Sequence, residues 1–221
     1  MTEKQEAELY ELLEDYGGKL ERDEIYTLVE GIKQIHKRNT FNSKVQEFHE
    51  TFNQIVAVKP SIPVRSVQEL RLSLILEELS ELAEAMGPDT FSAYQRMLFK
   101  KSQEVHYKSE QLREKMQPNL IEVIDALADL QYVLSGAIVA TGFTEKFEEA
   151  FHEVHESNMS KACITHEEAN ATIEAYANKD VISKSVESNG KILVLREPDG
   201  KVLKSVNYKA AKLERFCYDS I

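Results

Sequence analysis

The sequence predicts a mainly α protein, a helical bundle with a small β-hairpin appendage near its carboxyl end. Apolar residues recur at helical spacing in successive segments between residues 41 and 157. By contrast, VISKSVE and KILVLRE alternate apolar and polar residues on either side of Ser188-Asn189-Gly190, which is typical of a β-hairpin. With 42% hydrophobic and 29% charged residues among 221, the chain has the composition of an ordinary globular protein with one domain plus appendages.

Each helix of the amino-terminal part is predicted from an apolar stripe and ends near a glycine or proline. Two short helices come first and are separated by Gly17-Gly18. The stripe that begins at Phe41 predicts a helix to residue 58, ended by Pro60 and Pro63. The helices predicted before Gly142 span residues 4–16, 22–37, 41–58, 66–86, 89–116 and 119–141.

The carboxy-terminal part is expected to begin with a helix over residues 145–157, with Thr144 as its N-cap. Thr165 followed by HEEA resembles a capping box and predicts a short helix to about Asn178. The hairpin follows, and KVLKSV is expected to add a third short strand. The chain is thus divided into an amino-terminal helical extension (1–40), a helical domain (41–162) and a carboxy-terminal helix, hairpin and tail (163–221).

The chain is acidic, with a formal net charge of −11. This charge argues against non-specific binding to nucleic acid or to anionic membranes. The amino terminus lacks an apolar leader, no stretch approaches 18 uninterrupted apolar residues, and Cys163 and Cys217 lack the spacing of a metal knuckle. We therefore expect a cytoplasmic protein with two free thiols and no membrane or nucleic-acid partner.

Six carboxylates lie on two predicted helices that are otherwise apolar. They are Glu77, Glu78 and Glu81 on the first helix, and Glu122, Asp125 and Asp129 on the second. Helical geometry places each set of three on one face. If these faces pack together, the acids meet and require protons, basic partners or cations. The oxygen donors, with no His or Cys among them, favour Mg²⁺ or Mn²⁺ over zinc or copper.

Two other interpretations apply to carboxylates on helices. The residue pattern alone fits a solvated acidic face as well as a metal site, although apolar residues cover most of the second helix. A di-iron site requires two Glu-x-x-His pairs, and Glu149-x-x-His152 is the only such pair in the sequence. Iron chemistry is therefore not expected, and His152 and His155 are assigned structural or surface roles.

Glu77-Glu78-x-x-Glu81 followed by Glu122-x-x-Asp125 resembles the EExxE and ExxD signature of the all-α nucleoside triphosphate pyrophosphohydrolases. This superfamily includes MazG, phosphoribosyl-ATP pyrophosphatase and the dimeric dUTPases. Further matching segments are VQEFHETFN, ADLQYVLSGA, VHESNMSK and GKVLKSVNYKAAKL. The likeness is greatest to the MazG-like, dUTPase-related branch, and it implies a MazG-like helical bundle.

The sequence departs from the family pattern in two places. The interval from Glu81 to Glu122 is longer than usual, so residues 89–116 are expected to be an insertion. Alignment of ADLQYVLSGA with its relatives makes Asp129 the family's aspartate and puts Ala126 where its glutamate should stand. The metal-binding pair is therefore open among Glu122, Asp125 and Asp129, with Asp125 preferred.

The resemblance implies cleavage of a nucleoside triphosphate between the α and β phosphates, which gives the monophosphate and pyrophosphate. Glu78, Glu81 and the second-helix acids would bind Mg²⁺, or Mn²⁺ in its place, and Glu77 would orient or deprotonate the attacking water. The resemblance also assigns substrate contacts, although the first three residues fit a solvated helix face equally well. These residues are Gln46, His49, Asn53, Asn158, Lys161, Lys204 and Tyr208.

The resulting hypothesis is a magnesium-dependent nucleotide pyrophosphohydrolase, at least dimeric because the family builds its pocket between subunits. Removal of dUTP or non-standard nucleotides follows by analogy. Two alternatives remain open at this point. One is hydrolysis of phosphoribosyl-ATP by the same metal chemistry, and the other is a non-catalytic helical scaffold that retains metal binding.

Overall fold

The computed structural model describes residues 3–16, 22–38, 40–112 and 115–218, and it confirms the mainly α fold. The predicted break at Gly17-Gly18 lies outside the described residues. In chain order the described elements are α1 (Glu3–Tyr16), α2 (Arg22–Arg38), α3 (Phe41–Thr51), α4 (Arg65–Ala85), α5 (Pro88–Leu112), α6 (Leu120–Ala140), α7 (Phe147–Met159), α8 (His166–Ala177), β1 (Ser183–Ser188), β2 (Lys191–Arg196) and α9 (Glu214–Cys217).

The chain separates into two compact units, each of which is described by itself. One comprises residues 57–135, and the other comprises residues 1–56 together with 136–221. The division predicted from the sequence, with boundaries after residues 40 and 162, stays a prediction.

In the unit of residues 57–135, α4 packs against α5. Ala83 of α4 and Tyr94 of α5 are buried. The two helices are joined by Gly87, whose φ of 104° lies outside the range that other residues adopt readily, and Pro88 supplies the first residue of α5. This turn accounts for the end of the first acidic helix at the predicted place.

The second acidic helix, α6, is apolar but uncovered. Asn119 caps its amino end, because its Oδ1 accepts a hydrogen bond from the Ile121 N–H at 3.0 Å. None of its residues is buried, and within the described chain it has no extensive contact with α4 or α5. Among the described residues α6 is also the helix long and apolar enough to cross a membrane, a test that core helices of globular proteins pass too.

In the other unit, α3 packs against α7 through aromatic and charged side chains. The Phe41 ring lies 4.6 Å from that of Phe151. Buried His155 places Nε2 at 3.3 Å from Oε2 of Glu47, in agreement with a structural role for this histidine. These contacts fix α3 relative to the end of α7, where several candidate substrate-binding residues lie.

Two predicted helix ends are wrong. Helix α3 ends at Thr51 rather than at residue 58, because Asn53 adopts a left-handed φ of 55°, and residues 54–59 are not helical. Helix α7 begins at Phe147, and Thr144 is not its N-cap. The Phe143 carbonyl accepts hydrogen bonds from the N–H groups of Lys146 and Phe147, so a tight turn precedes the helix.

The capping box and the hairpin are confirmed. Thr165 accepts a hydrogen bond from the Glu168 N–H at 3.2 Å at the start of α8. Strands β1 and β2 are antiparallel, and Asn189 and Gly190 form the turn with φ values of 45° and 74°, as a two-residue hairpin turn of this kind requires. KVLKSV does not form a third strand. It pairs with β2 through an isolated Leu195–Val202 bridge.

The hairpin belongs to the core of its unit. Leu193 packs with Phe52 and Ala162 in one cluster. On the other face of β2, a second cluster is formed by Cys163, Ala169, Ile192, Val194 and Leu203. Backbone hydrogen bonds of 2.8 and 2.9 Å between Cys163 and Ile192 join the hairpin to the chain that leaves α7. The hairpin is therefore held against both α3 and the end of α7.

Candidate active site

The six acids of α4 and α6 are exposed in the described chain. The Glu122 carboxylate accepts a hydrogen bond of 3.1 Å from the Asn119 amide. Among the described residues, no group of three or more His, Cys, Asp or Glu side chains is close enough to hold a metal ion. A single chain therefore presents the acids on two separate helices and does not gather them into one cluster.

Three predicted substrate contacts lie on α3 and just beyond its end. Gln46 donates from Nε2 to Oε1 of Glu50 at 2.7 Å, one helical turn away. His49 places Nδ1 at 3.1 Å from the Ile55 carbonyl oxygen and so contacts the chain that follows the helix. Asn53 occupies the left-handed position just beyond the helix end. Gln46, His49 and Asn53 thus follow one another from the helix to the turn at its end.

The end of α7 gathers residues that the sequence analysis assigned separately. Lys161 donates from Nζ to Oδ1 of Asn158 at 2.6 Å, which holds the ammonium near the helix end. The lysine is half-buried, and burial lowers its pKa. Tyr208 raises this pKa, whereas the neighbouring Lys204 and Lys201 lower it further. A lysine in this setting binds an anion at a smaller desolvation cost than it would in free solution, because much of its hydration is already lost.

Tyr208 and Lys204 lie beside this lysine. Lys204 Nζ lies 4.3 Å from the centroid of the Tyr208 ring, a cation–π contact. The Tyr208 hydroxyl accepts a hydrogen bond of 3.1 Å from Ser157, and this hydrogen bond lowers the pKa of Tyr208, as does the charge of Lys204. Four predicted substrate-binding residues, Asn158, Lys161, Lys204 and Tyr208, are thereby brought together into what we call the lysine cluster.

The segment that carries Lys204 and Tyr208 is held by residues that the sequence analysis did not single out. Ser205 donates through its hydroxyl to the Glu168 carboxylate, and its backbone N–H donates to the Lys161 carbonyl at 3.2 Å. The Thr172 hydroxyl accepts a hydrogen bond of 3.1 Å from the Val206 N–H. Glu168 was visible in the capping box, but its contact with residue 205 spans 37 residues and has no local sequence signal.

The lysine cluster concentrates positive charge in a chain whose net charge is −11. Lys161, Lys204 and nearby Lys201 form an electropositive site suited to phosphate oxygens. The acids of α4 and α6 are suited to cations instead, because carboxylate oxygens bind hard divalent cations. A phosphorylated, metal-bound substrate requires both kinds of group.

A crystal structure from Exiguobacterium sp. 255-15, described as a "putative NTP pyrophosphohydrolase", shares the fold. The TM-score is 0.57 at 22% identity, over 80% of this chain and 94% of that chain. A search of curated proteins gives no match. This likeness shows that the two chains share an α-helical fold.

The family model of phosphoribosyl-ATP pyrophosphohydrolase, PRA-PH, matches residues 45–158, more than half of the chain. The chain belongs to this family and is a nucleotide pyrophosphohydrolase. The matched range contains both acidic helices and ends at Asn158, so the β-hairpin and the segment with Lys204 and Tyr208 lie beyond it.

Proposed function

We propose that the protein hydrolyses nucleoside or deoxynucleoside triphosphates to the monophosphate and pyrophosphate in a Mg²⁺-dependent reaction. The observation that carries this proposal is the pair of acid-bearing helices, α4 with its complete EExxE motif and α6 with three acids on one exposed face. Removal of dUTP or non-standard nucleotides from the cytoplasmic nucleotide pool is the physiological role that we propose.

The donor set suits magnesium. Glu78 and Glu81 together with two of the α6 acids offer oxygen ligands alone, which match the preference of Mg²⁺, with Mn²⁺ as a substitute. When bound, the metal would offset the charge of the triphosphate and polarise the phosphorus that is attacked. The preferred α6 ligand is Asp125, with Glu122 or Asp129 as the second.

We propose that a second copy of the chain completes this site. Within one chain the acids of α4 and α6 do not form a cluster, while α6 presents apolar side chains, none of which is buried. Association of two chains through α6 would bury this surface and enclose the acids. The proposed state is a homodimer or a higher homo-oligomer.

An oligomer accounts for α6 better than a membrane does. Asp125 and Asp129 lie within the apolar part of the helix, and unpaired carboxylates in hydrocarbon cost several kcal/mol. At an interface between copies the same carboxylates are balanced by the proposed metal and substrate. We therefore propose no membrane partner, and the net charge of −11 leads us to propose no nucleic-acid partner either.

Each group has a defined role in the proposed reaction. Glu77 accepts the proton of the water that attacks the α phosphorus, and the bond from this phosphorus to the α–β bridging oxygen breaks as pyrophosphate leaves. Lys161 and Lys204 bind phosphate oxygens, and Tyr208 and Asn158 position the two lysines. Gln46, His49 and Asn53 contact the nucleoside.

A second candidate substrate is phosphoribosyl-ATP, which is favoured by the family whose model matches residues 45–158. The chemistry would be the same, since this compound also carries a triphosphate that is cleaved between the α and β phosphates. The two candidate substrates differ only at the nucleoside end of the molecule, away from the triphosphate.

The proposal is tested with the full-length protein and a panel of NTPs, dNTPs, dUTP and phosphoribosyl-ATP, with Mg²⁺ or with a chelator, and the products are separated by chromatography. We expect a monophosphate and pyrophosphate from at least one substrate, with no turnover in the chelator. Release of orthophosphate alone, or undiminished turnover in the chelator, would contradict the proposal.

A further inference from the structure

Half of the lysine cluster lies in irregular chain between β2 and α9. Lys204 and Tyr208 both belong to this part of the chain, and neither lies in a helix or a strand. Their positions therefore depend on the contacts that residues 204–208 make with the rest of their unit.

Ser205 is at the centre of these contacts and is buried. Its backbone N–H donates to the Lys161 carbonyl at 3.2 Å, and its own carbonyl accepts from the Tyr208 N–H at 2.9 Å. Its hydroxyl accepts from the Asn207 N–H at 2.9 Å and donates its proton to Oε1 of Glu168. The backbone of Ser205 is thus bonded to two members of the lysine cluster, and its side chain is bonded to Glu168.

Glu168 connects residues 204–208 to the start of α8 through both of its carboxylate oxygens. Oε1 accepts from the Ser205 hydroxyl, and Oε2 accepts from the Ile164 N–H at 2.9 Å. Burial of the carboxyl raises the pKa of Glu168, but hydrogen bonds from Ile164 and Ser205 outweigh burial and hold this pKa below its ordinary value. At neutral pH the side chain is therefore an ionised carboxylate with an acceptor for each of the two donors.

Helix α8 gives Glu168 a fixed position. The Glu168 N–H donates to the Thr165 hydroxyl at 3.2 Å, and the Glu168 carbonyl accepts from the buried Thr172 hydroxyl at 2.8 Å. Thr172 in turn accepts from the Val206 N–H at 3.1 Å. Two consecutive residues, Ser205 and Val206, are therefore bonded to side chains of one helix, which limits the movement of the chain between Lys204 and Tyr208.

We propose that Glu168 is a positioning residue of the enzyme, which holds Lys204 and Tyr208 beside Lys161 through its hydrogen bond with Ser205. The inference rests on the proposed function, in which the lysine cluster binds the phosphates. Loss of the Glu168 carboxylate should weaken phosphate binding, although it removes a negative charge from the neighbourhood of the cluster. An effect of charge alone would have the opposite sign, because fewer negative charges would strengthen the attraction for phosphate.

Two variants remove the proposed contact from either side. Glu168→Ala removes the carboxylate, and Ser205→Ala removes the hydroxyl that donates to it. Glu168→Gln is the conservative variant, because its amide can still form a hydrogen bond with the Ser205 hydroxyl. The matched control is Glu153→Ala. Glu153 is a half-buried carboxylate that accepts from the Lys212 N–H and the Arg215 guanidinium, both at 3.0 Å, and so holds the same part of the chain beyond the lysine cluster.

The first measurement is steady-state kinetics of the full-length protein with a triphosphate that it hydrolyses, together with thermal unfolding of each variant. We expect Glu168→Ala and Ser205→Ala each to raise KM by about tenfold, the effect of one charge-assisted hydrogen bond, with kcat nearly unchanged. The double variant should be no worse than the worse single variant, because both changes remove the same contact. Glu168→Gln should recover most of the lost affinity, and Glu153→Ala should leave KM unchanged.

Three kinetic results would overturn the inference and leave the proposed function intact. The first is an unchanged KM in both Glu168→Ala and Ser205→Ala. The second is a lower KM in Glu168→Ala, which would show that the carboxylate acts through its charge. The third is an equal rise in KM in Glu153→Ala, which would show general loosening of this part of the chain. If Glu168→Ala does not fold, Ser205→Ala decides the outcome.

A second measurement requires neither turnover nor a ligand. The hydrogen bond from Ser157 and the charge of Lys204 lower the pKa of Tyr208, so this pKa reports whether Lys204 and Tyr208 are in place. It is measured by NMR of protein labelled with ¹³Cζ-tyrosine, with Tyr208→Phe to assign the signal. In Glu168→Ala and Ser205→Ala the pKa of Tyr208 should move toward its ordinary value of 10.0, whereas in Glu153→Ala it should not. An unchanged pKa in the first two variants overturns the inference, whether or not any nucleotide is hydrolysed.

Discussion

At the residue scale, Lys161 shows how surroundings alter a common side chain. A lysine one turn beyond an asparagine on a helix surface is ordinarily a solvated charge. Here the chain after β2 folds back over it, and Lys161 becomes half-buried next to Lys204 and Tyr208. The family resemblance predicted that Lys161 contacts the substrate. Its burial could not be predicted, because it depends on a segment more than 40 residues away.

The lowered pKa of Lys161 predicts how substrate binding responds to pH. Burial lowers the pKa from its ordinary value of 10.5, so the ammonium loses its proton, and with it the attraction for phosphate, at a lower pH than an exposed lysine would. The KM should rise as the pH increases through this range. Arginine keeps its charge, so Lys161→Arg should shift the rise in KM to higher pH. Identical KM profiles for wild type and variant would contradict the role of Lys161.

The lowered pKa of Lys161 also makes the stability of the folded protein depend on pH. The charged lysine is penalised in the folded protein, and the penalty is present in full below the folded-state pKa. As the pH rises through the folded-state pKa toward the unfolded-state value, this cost disappears and the folded state gains stability from this residue.

The acids of α4 give a second prediction at this scale. Glu81→Gln retains the shape of the side chain but removes the charge, so kcat should fall by about a hundredfold or more if Glu81 binds the metal. The matched control is Glu69→Gln on the same helix, where the carboxylate pairs with Arg65 at 2.7 Å. Steady-state rates at saturating Mg²⁺ are the measurement. Equal activity of the two variants would exclude Glu81 from the site.

At the scale of elements, the helices were predictable and several of their ends were not. Apolar stripes gave each long helix to within a few residues, and Gly87-Pro88 gave the end of α4. The end of α3 was predicted too late because the prolines at 60 and 63 are strong signals, whereas termination is due to the left-handed turn at Asn53. That early end matters, because it places Asn53, a predicted substrate contact, in the turn beyond the helix and not on it.

The hairpin was predicted as an appendage, yet its side chains complete a core. Alternation along KILVLRE correctly predicted a strand, but both of its faces are covered, which single-sequence alternation could not reveal. Leu193, at 2% exposed, packs with Phe52 at the end of α3 and with Ala162 in the chain leaving α7.

This packing predicts the cost of truncation. Leu193→Ala should lower the free energy of unfolding by about 2–5 kcal/mol, because it removes buried methyl groups and leaves a cavity. Val186→Ala, at a 38% exposed position on β1 of the same hairpin, is the matched control and should cost much less. Urea denaturation monitored by circular dichroism gives both values. Similar small losses in both variants would show that the hairpin is not part of the core.

At the scale of the whole molecule, α6 explains why the candidate site could be predicted only in part. The sequence identified the acid stripe correctly as a feature of a helix with few other polar residues. It left open whether the acid-bearing faces pack together, and in the part of the chain that the structure describes no three such side chains are close enough to hold a metal ion. Contacts between copies leave no local pattern that fixes which helix faces which, so the metal-binding pair on α6 stays open.

The proposed dimer gives a prediction about assembly. Val133 is 64% exposed on α6, and Val133→Glu would place an unpaired charge in the proposed interface. We expect the dissociation constant of the dimer to rise by about a hundredfold or more, with parallel loss of activity. Val58→Glu, at a fully exposed position outside the helices, is the matched control. Sedimentation velocity over a range of concentrations gives the dissociation constants of both variants. A Val133→Glu variant that associates like wild type would contradict this interface.

The central claim is that water attacks the α phosphorus of a nucleotide triphosphate, with carboxylates of α4 and α6 holding the required magnesium. The most direct test is hydrolysis in ¹⁸O-labelled water with Mg²⁺, followed by mass spectrometry of both products. The account predicts one labelled oxygen in the nucleoside monophosphate and none in pyrophosphate. Label in pyrophosphate or in orthophosphate would place the attack at another phosphorus and contradict it.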